Sequence, residues 1–209
     1  MAPDPVSAER GHRWFAAGYE RRGRRGDSPY QRELRTRVAG EATGRVVEIG
    51  AGTGFNFPYY ADGTAVVATE PDPEMLRRAE PRAREHGIEL RAAPAERLPF
   101  PDGSFDTVVA TGVFCAVDDP GRALSEVFRV LRPGGELRFS EHVRAPGRAR
   151  RAMQRTLDPL HYRLFRCHIG RDTLRSMREA GFDVDADRLR YADVFGVARK
   201  PEGQPTPGP

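Results

Sequence analysis

The stretch VVEIGAGTGFNFPYY, residues 46–60, sets three glycines at alternate positions directly after a short apolar run that carries one carboxylate. A β-branched run of this length predicts a buried strand, and glycines at its end predict a turn that lets a ligand approach the main chain. The spacing excludes a Walker phosphate loop, whose G-x-x-x-x-G-K-[ST] pattern needs wider glycines and a lysine. A dinucleotide site asks for G-x-G-x-x-G, whereas here Gly50, Gly52 and Gly54 alternate and Phe55 follows. Glu48, two residues ahead of Gly50, would repel a pyrophosphate at this turn and attract a ligand that carries a cation.

Outward from this turn, short β-branched runs alternate with longer amphipathic ones. Strands are expected at 45–49, 65–69, 88–92, 105–110, 136–140, 182–187 and 194–199, and helices at 73–86, 120–131 and 171–180, with a short helical turn at 58–60. Pro73 suits the first turn of a helix, and Gly87 and Gly181 suit helix ends. Such alternation predicts an α/β fold with a mainly parallel sheet and helices on both faces. Residues 1–43 read as an N-terminal helical arm, two helices joined by an arginine-glycine hinge. It is either a packing arm or a lid, with Trp14, Phe15 and Tyr19 on one helical face. Within the domain at 44–200, the insertion 143–170 is a candidate substrate cover. Its segment MQRTLDPLHYRLF reads as an amphipathic packing helix broken at the proline. Residues 201–209 read as a disordered tail.

A chain of 209 residues buries one sizeable core, so one domain is expected. The formal net charge of +4 is ordinary, and all 34 basic residues except Lys200 are arginine, which reads as a compositional bias. No nucleic-acid partner is expected from it. Cys115 and Cys167 are far apart in sequence and lack any C-x-x-C or Cys/His metal spacing. Neither a disulfide framework nor a zinc site is therefore expected, and Cys115 reads as a small buried hydrophobe. The longest apolar run, VVATGVFCAV from Val108, is about half the length that spans a bilayer, and the N-terminus carries no apolar signal-peptide core. These features predict a cytoplasmic protein without a membrane span, acting as a monomer or homodimer.

VEIGAGTG resembles motif I of the class I S-adenosylmethionine-dependent methyltransferases, with a type 11 methyltransferase domain. TEPDPEML, APAERLPFPDGSFDTVV and LRPGG follow in that family's order, so the resemblance runs over residues 44–200. It implies a Rossmann-like seven-stranded sheet with an antiparallel last strand, and S-adenosyl-L-methionine as cofactor, whose ammonium and sulfonium match the cation expected beside Glu48. The implied cofactor set is Tyr19, Glu48, Gly50, Ala51, Gly52, Gly54, Asn56, Glu70, Pro71, Ala95, Glu96, Thr111 and Gly112. In it Glu48 holds the ammonium, directly or through water, and Gly50 and Gly52 admit the amino acid part. Glu70, twenty residues past Gly50, either accepts from both ribose hydroxyls or caps the next helix. Ala95 and Glu96 resemble the adenine turn, and Thr111 and Gly112 the floor beneath the methyl. Relatives often carry Asp at the position of Pro94, and a proline cannot accept from the adenine amino group.

EHV, LDPL, CH and RDTL are similar to the small-molecule methyltransferases that include the alkyl thiol methyltransferases. This resemblance implies a small-molecule acceptor, with thiol sulfur favoured over hydroxyl or amine, and makes His142, Asp158 and His168 the catalytic candidates. His142 is either a substrate-facing base or hydrogen-bond donor, or a strand-end histidine tied to backbone. Two other functions stand beside this one. An RNA methyltransferase would use the arginines of GRARRAMQR on phosphates, although the Asn/Asp-Pro-Pro-aromatic element of amino-directed nucleic-acid enzymes is missing. A catalytically inactive chain would bind the cofactor as a regulatory or scaffold protein.

Overall fold

The computed structural model describes residues 13–190 and 193–203, and of 188–190 only the backbone. The strands β1 (Arg45–Ile49), β2 (Ala65–Thr69), β3 (Glu89–Arg91), β4 (Phe105–Thr111), β5 (Leu131–His142), β6 (Asp183–Arg190) and β7 (Asp193–Arg199) form one seven-stranded sheet. Its order is β3-β2-β1-β4-β5-β7-β6. Strands β1 to β5 pair in parallel, and β7 runs antiparallel to both β5 and β6. The expected Rossmann-like architecture is thus present.

Helices α3 (Pro73–Glu85), α4 (Pro120–Val130) and α6 (Thr173–Glu179) cover the sheet. Successive side chains of a strand point to opposite faces, and here both faces are apolar. Val47, Ile49, Val108 and Ala110 pack on one side with Leu124, Val127 and Phe128 of α4 and Met177 of α6. Val46 and Val109 pack on the other with Ala79 and Ala83 of α3 and with Val38. Each large apolar side chain so buried contributes about 1.5–3 kcal/mol by leaving water. The helix ends are closed by side chains. Asp72 accepts the N–H groups of Glu74 and Met75 at the start of α3, at 2.8 and 3.3 Å. Lys200, the only lysine, is buried and donates to the carbonyls of Phe128 and Leu131 at the end of α4, at 2.7 and 2.8 Å.

Several boundaries differ from the sequence expectation. The turn at 58–60 is a 3-10 helix at Phe57–Tyr59, β3 is shorter than 88–92, and α6 begins at Thr173. The largest shift is in β5, which begins at Leu131, where a helix end was expected. Leu131 pairs with Phe105 across a bulge, so the glycines at 134 and 135 lie inside the strand. The arm consists of α1 (Arg13–Gly23) and α2 (Pro29–Arg35), the latter running into a π-helical turn at Thr36–Gly40.

The insertion folds as one 18-residue helix, α5 (Arg148–Phe165), which passes through Pro159 without the expected break. Pro159 and Arg155 are both exposed, so the helical turn that loses one N–H to C=O bond lies at the surface. The packing role expected of this segment also fails. Gln154 is buried in α5, while Met153, Leu157, Leu160 and Leu164 lie exposed along one face. Residues 1–12 of the arm and 204–209 of the expected tail lie outside the described residues. Among the described residues no helix is long and apolar enough to cross a membrane.

Candidate active site

The strand order reverses between β1 and β4, and the crevice at their carboxyl ends is where open α/β sheets hold ligands. The glycine turn lies across it. Gly50 has φ 59°, and a Cβ there would stand 2.8 Å from Cγ2 of Val113, just past β4. Gly52 has φ 58° and donates its N–H to Oε2 of Glu70 at 2.8 Å. Both positions need the left-handed backbone that glycine adopts without strain. The turn is further tied by the Ala51 N–H on the Thr69 carbonyl and the Gly54 N–H on the Ala51 carbonyl, each at 2.9 Å.

Two buried carboxylates flank this turn. Glu48 is 2% exposed and accepts from Asn56 Nδ2 at 2.9 Å and from the Tyr60 hydroxyl at 2.7 Å. Burial pushes its carboxyl up to about 7, against the pull of those two donors. Asn56 also donates to the Thr111 hydroxyl at 3.1 Å and accepts from Arg35 of α2 at 2.6 Å. Glu70, at the end of β2, accepts from Gly52 and from the Asp72 N–H, both at 2.8 Å. Burial raises its carboxyl above the ordinary range, again against its N–H donors. Asp72, rather than Glu70, caps α3 with its side chain.

The arm closes over the same turn. The Tyr19 ring stands 3.6 Å from where a Cβ of Gly52 would lie, and its centroid is 5.8 Å from that of Phe55. Glu20 bonds Arg82 of α3 at 2.9 Å, and Arg82 donates to the Thr53 carbonyl at 2.9 Å while lying 4.4 Å over Phe55. Trp14 departs from the expected covering face and is 94% exposed.

Of the remaining cofactor candidates, Ala95 is buried in the core against β4, and Pro71 is exposed. The Glu96 carboxylate accepts the N–H groups of Asp118 and Asp119, at 3.1 and 3.4 Å, and so helps to fix the approach to α4. Gly112 donates to the Ser140 carbonyl at 2.8 Å, joining the ends of β4 and β5.

The three catalytic candidates separate into two groups. Asp158 accepts from His168 Nδ1 at 2.6 Å and from the Ile169 N–H at 2.7 Å, with Tyr162 stacked on the His168 ring at 4.2 Å. Burial would raise the Asp158 carboxyl, but His168 and the backbone donors bring it below its ordinary value. His142 instead lies 3.2 Å from Oδ1 of Asp193 through Nε2 and 3.7 Å from the Cys167 sulfur through Nδ1. The sequence separation of the cysteines misleads here. Cys115, His142 and Cys167 offer ligand atoms that all lie within 4.8 Å of one another, because the ends of β4 and β5 and the turn after α5 converge. Hydrogen bonding to the Cys115 sulfur and the adjacent His142 pull the Cys167 thiol down, and Cys167 in turn pushes His142 up.

Several residues of this arrangement escaped the sequence reading. Glu141 is 2% exposed and accepts the N–H groups of Val113, Phe114 and Cys115 at 2.7, 3.0 and 3.1 Å, which fixes the loop beyond β4. Its signal was an acid next to His142 at the end of an apolar strand. Tyr60, Arg35 and Arg82 carried no local signal, since each acts across elements.

Residues 47–139 match the methyltransferase domain family. Over 103 residues the chain is 44% identical to a phosphatidylethanolamine N-methyltransferase of Cereibacter sphaeroides, covering 47% of this chain and 51% of that one. Over 144 residues it is 36% identical to a thiol S-methyltransferase of Rattus norvegicus, covering 66% and 59%. A solved S-adenosylmethionine-dependent methyltransferase of Thermotoga maritima aligns with a TM-score of 0.67 at 26% identity, covering 90% of this chain and 97% of that one. The chain thus spans 51 to 59% of the length of these two curated relatives. It carries a methyltransferase domain of the S-adenosylmethionine-dependent class, and S-adenosylmethionine is that domain's cofactor. The residues present fit it. Two buried carboxylates without an ion-pair partner among the described residues suit a cation, and the bare glycine turn leaves room for main-chain contact.

Proposed function

We propose that this chain is an enzyme that transfers a methyl group from S-adenosylmethionine to the sulfur of a small thiol. The observation that carries the reading is the pair of buried carboxylates, Glu48 and Glu70, at the tips of neighbouring strands on either side of the glycine turn. The cofactor supplies a methyl on a positively charged sulfur, which a nucleophile takes in line with the departing bond. Glu48 holds the ammonium with the acceptor capacity its two present donors leave free, and its fixed position comes from Asn56 and Tyr60. Glu70 accepts from the ribose hydroxyls while keeping Gly52 in place. Tyr19 acts as a lid over the turn and keeps water out, and α5 acts as the acceptor's cover, its exposed leucines suiting an apolar thiol. His142 polarises the acceptor, and Asp158 fixes the His168 ring within the cover.

Little base catalysis is needed, because a thiol already offers a few per cent thiolate at neutral pH. The relatives support sulfur through reach. The thiol methyltransferase alignment covers 144 residues and so extends beyond the domain match at 47–139, while acceptor pockets are built from the more variable loops. The 44% identity to a lipid amine methyltransferase favours a second reading, an amine acceptor. The two free cysteines suit a reducing cytoplasm.

Methyl-labelled S-adenosylmethionine incubated with small thiols, phenols, amines and short RNAs, followed by mass spectrometry, tests the proposal. Labelled thioether is the expected product. Label on amines alone supports the second reading, and label on RNA with steep salt dependence supports a nucleic-acid enzyme. Tight cofactor binding with no transfer to any acceptor supports a regulatory protein.

A further inference from the structure

We propose that Cys115, His142 and Cys167 form a binding site for a thiophilic divalent cation, zinc by its donor set, with a fourth position left open at the strand tips. The three ligand atoms lie within 4.8 Å of one another. Cys167 Sγ and His142 Nδ1 are 3.7 Å apart. A tetrahedral zinc with Zn–S near 2.3 Å and Zn–N near 2.0–2.1 Å sets sulfur and nitrogen about 3.6 Å apart, so this pair is already at coordination spacing. Two sulfurs and one imidazole are soft donors that select zinc over magnesium or calcium.

The surroundings hold each donor in place. His142 Nε2 faces Asp193 Oδ1 at 3.2 Å, which fixes Nε2 as the protonated nitrogen and leaves the Nδ1 lone pair for a metal. The Tyr30 hydroxyl supports the other oxygen of Asp193 at 3.4 Å. Cys115 is fixed by the Glu141 carboxylate on its N–H at 3.1 Å and by the His168 N–H on its carbonyl at 2.8 Å. His161 donates to the Cys167 carbonyl at 2.7 Å. The chain turns into Cys167 through Arg166, the one non-glycine residue with positive φ among the described residues, at 55°. The His142 side chain is half exposed, which leaves an entry path and an open position. Three protein ligands with one open position is the arrangement of catalytic rather than structural zinc.

The occupant of the open position is the acceptor thiol, an assignment that rests on the thiol reading above, whereas the cation site does not. Bound there, the thiol loses its proton to solvent. Its sulfur pair then forms the new C–S bond as the sulfonium C–S bond breaks, with that pair going to the departing sulfur. The thioether product is a weaker, neutral ligand and leaves.

The test uses the full chain, reduced and stripped with chelator, titrated with Zn²⁺ against a chromophoric chelator and with Co²⁺ for its thiolate charge-transfer absorption. One metal per chain is expected, with loss of stoichiometric binding and of the absorption in Cys167→Ser. Asp193→Asn is expected to bind zinc about 10- to 100-fold more weakly with unchanged circular dichroism. No stoichiometric binding, or binding unaltered in Cys167→Ser, overturns the site, as does a Cys115–Cys167 disulfide that persists under reductant. A small thiol added to the Co²⁺ protein shifts the spectrum if it takes the open position, and an unchanged spectrum overturns that assignment. Calorimetry with S-adenosylmethionine on the same samples separates the two ideas. Cofactor binding without zinc binding removes the site and leaves the methyltransferase standing, and the converse removes the methyltransferase.

Discussion

Glu48 and Glu70 are buried carboxylates whose cost of burial is offset in part by the donors Asn56, Tyr60, Gly52 and Asp72, and is offset further by a cationic, hydrogen-bonding ligand. Replacing Glu70 by alanine is expected to weaken S-adenosylmethionine binding by about 1–3 kcal/mol in calorimetry, the range for lost hydrogen bonds to a charged group. Glu48 gives a pH dependence of defined sign. Its carboxyl titrates near 7 in the fold and near the ordinary 4.5 in the unfolded chain. Between those values the unfolded chain holds fewer protons, so stability falls as pH rises from about 4.5 to about 7. Glu48→Gln should therefore gain stability over the wild type across that window and match it most closely below it, as read by urea denaturation at several pH values. Glu141 is raised to about 7 by the same burial, so the variant removes only part of the slope. The places of Glu48 and Glu70 were legible in the sequence, because one lies near the end of a β-branched run and the other directly after one. Glu141 and the joining of Cys115 to Cys167 were not, because they arise where three separate elements meet.

At the scale of elements, the glycine turn and the end of α4 carry the most specific demands. Gly50→Ala puts a Cβ against Val113 in a left-handed backbone, at an expected cost of at least about 1–2 kcal/mol in a denaturant titration. Lys200→Met removes both donors from the last carbonyls of α4 and should destabilise the fold by about 1–3 kcal/mol by the same titration. The limits of β1 and β2 were readable to the residue because a β-branched run ends in a turn signal. The start of β5 was not, since Leu131 joins the sheet through a bulge that pairing with β4 imposes on a proline-glycine segment. The continuity of α5 was hidden as well. Pro159 reads as a break, and only its exposure explains why the helix runs on.

Over the whole molecule, the arm, the glycine turn and α3 act as one clamp through Glu20, Arg82 and Phe55. Product nucleoside should therefore protect residues 13–40 from limited proteolysis, and Arg82→Ala should abolish that protection; equal digestion with and without nucleoside would count against a lid. The central claim is that the crevice between β1 and β4 takes a cationic sulfur donor rather than a phosphate-bearing nucleotide. Calorimetric titration of the purified chain with S-adenosylmethionine and with NADH tests it most directly. The account predicts one S-adenosylmethionine site per chain, weakening as pH falls below about 7 when Glu48 takes up its proton, and no NADH binding. No heat with S-adenosylmethionine, or equal binding of NADH, would contradict it.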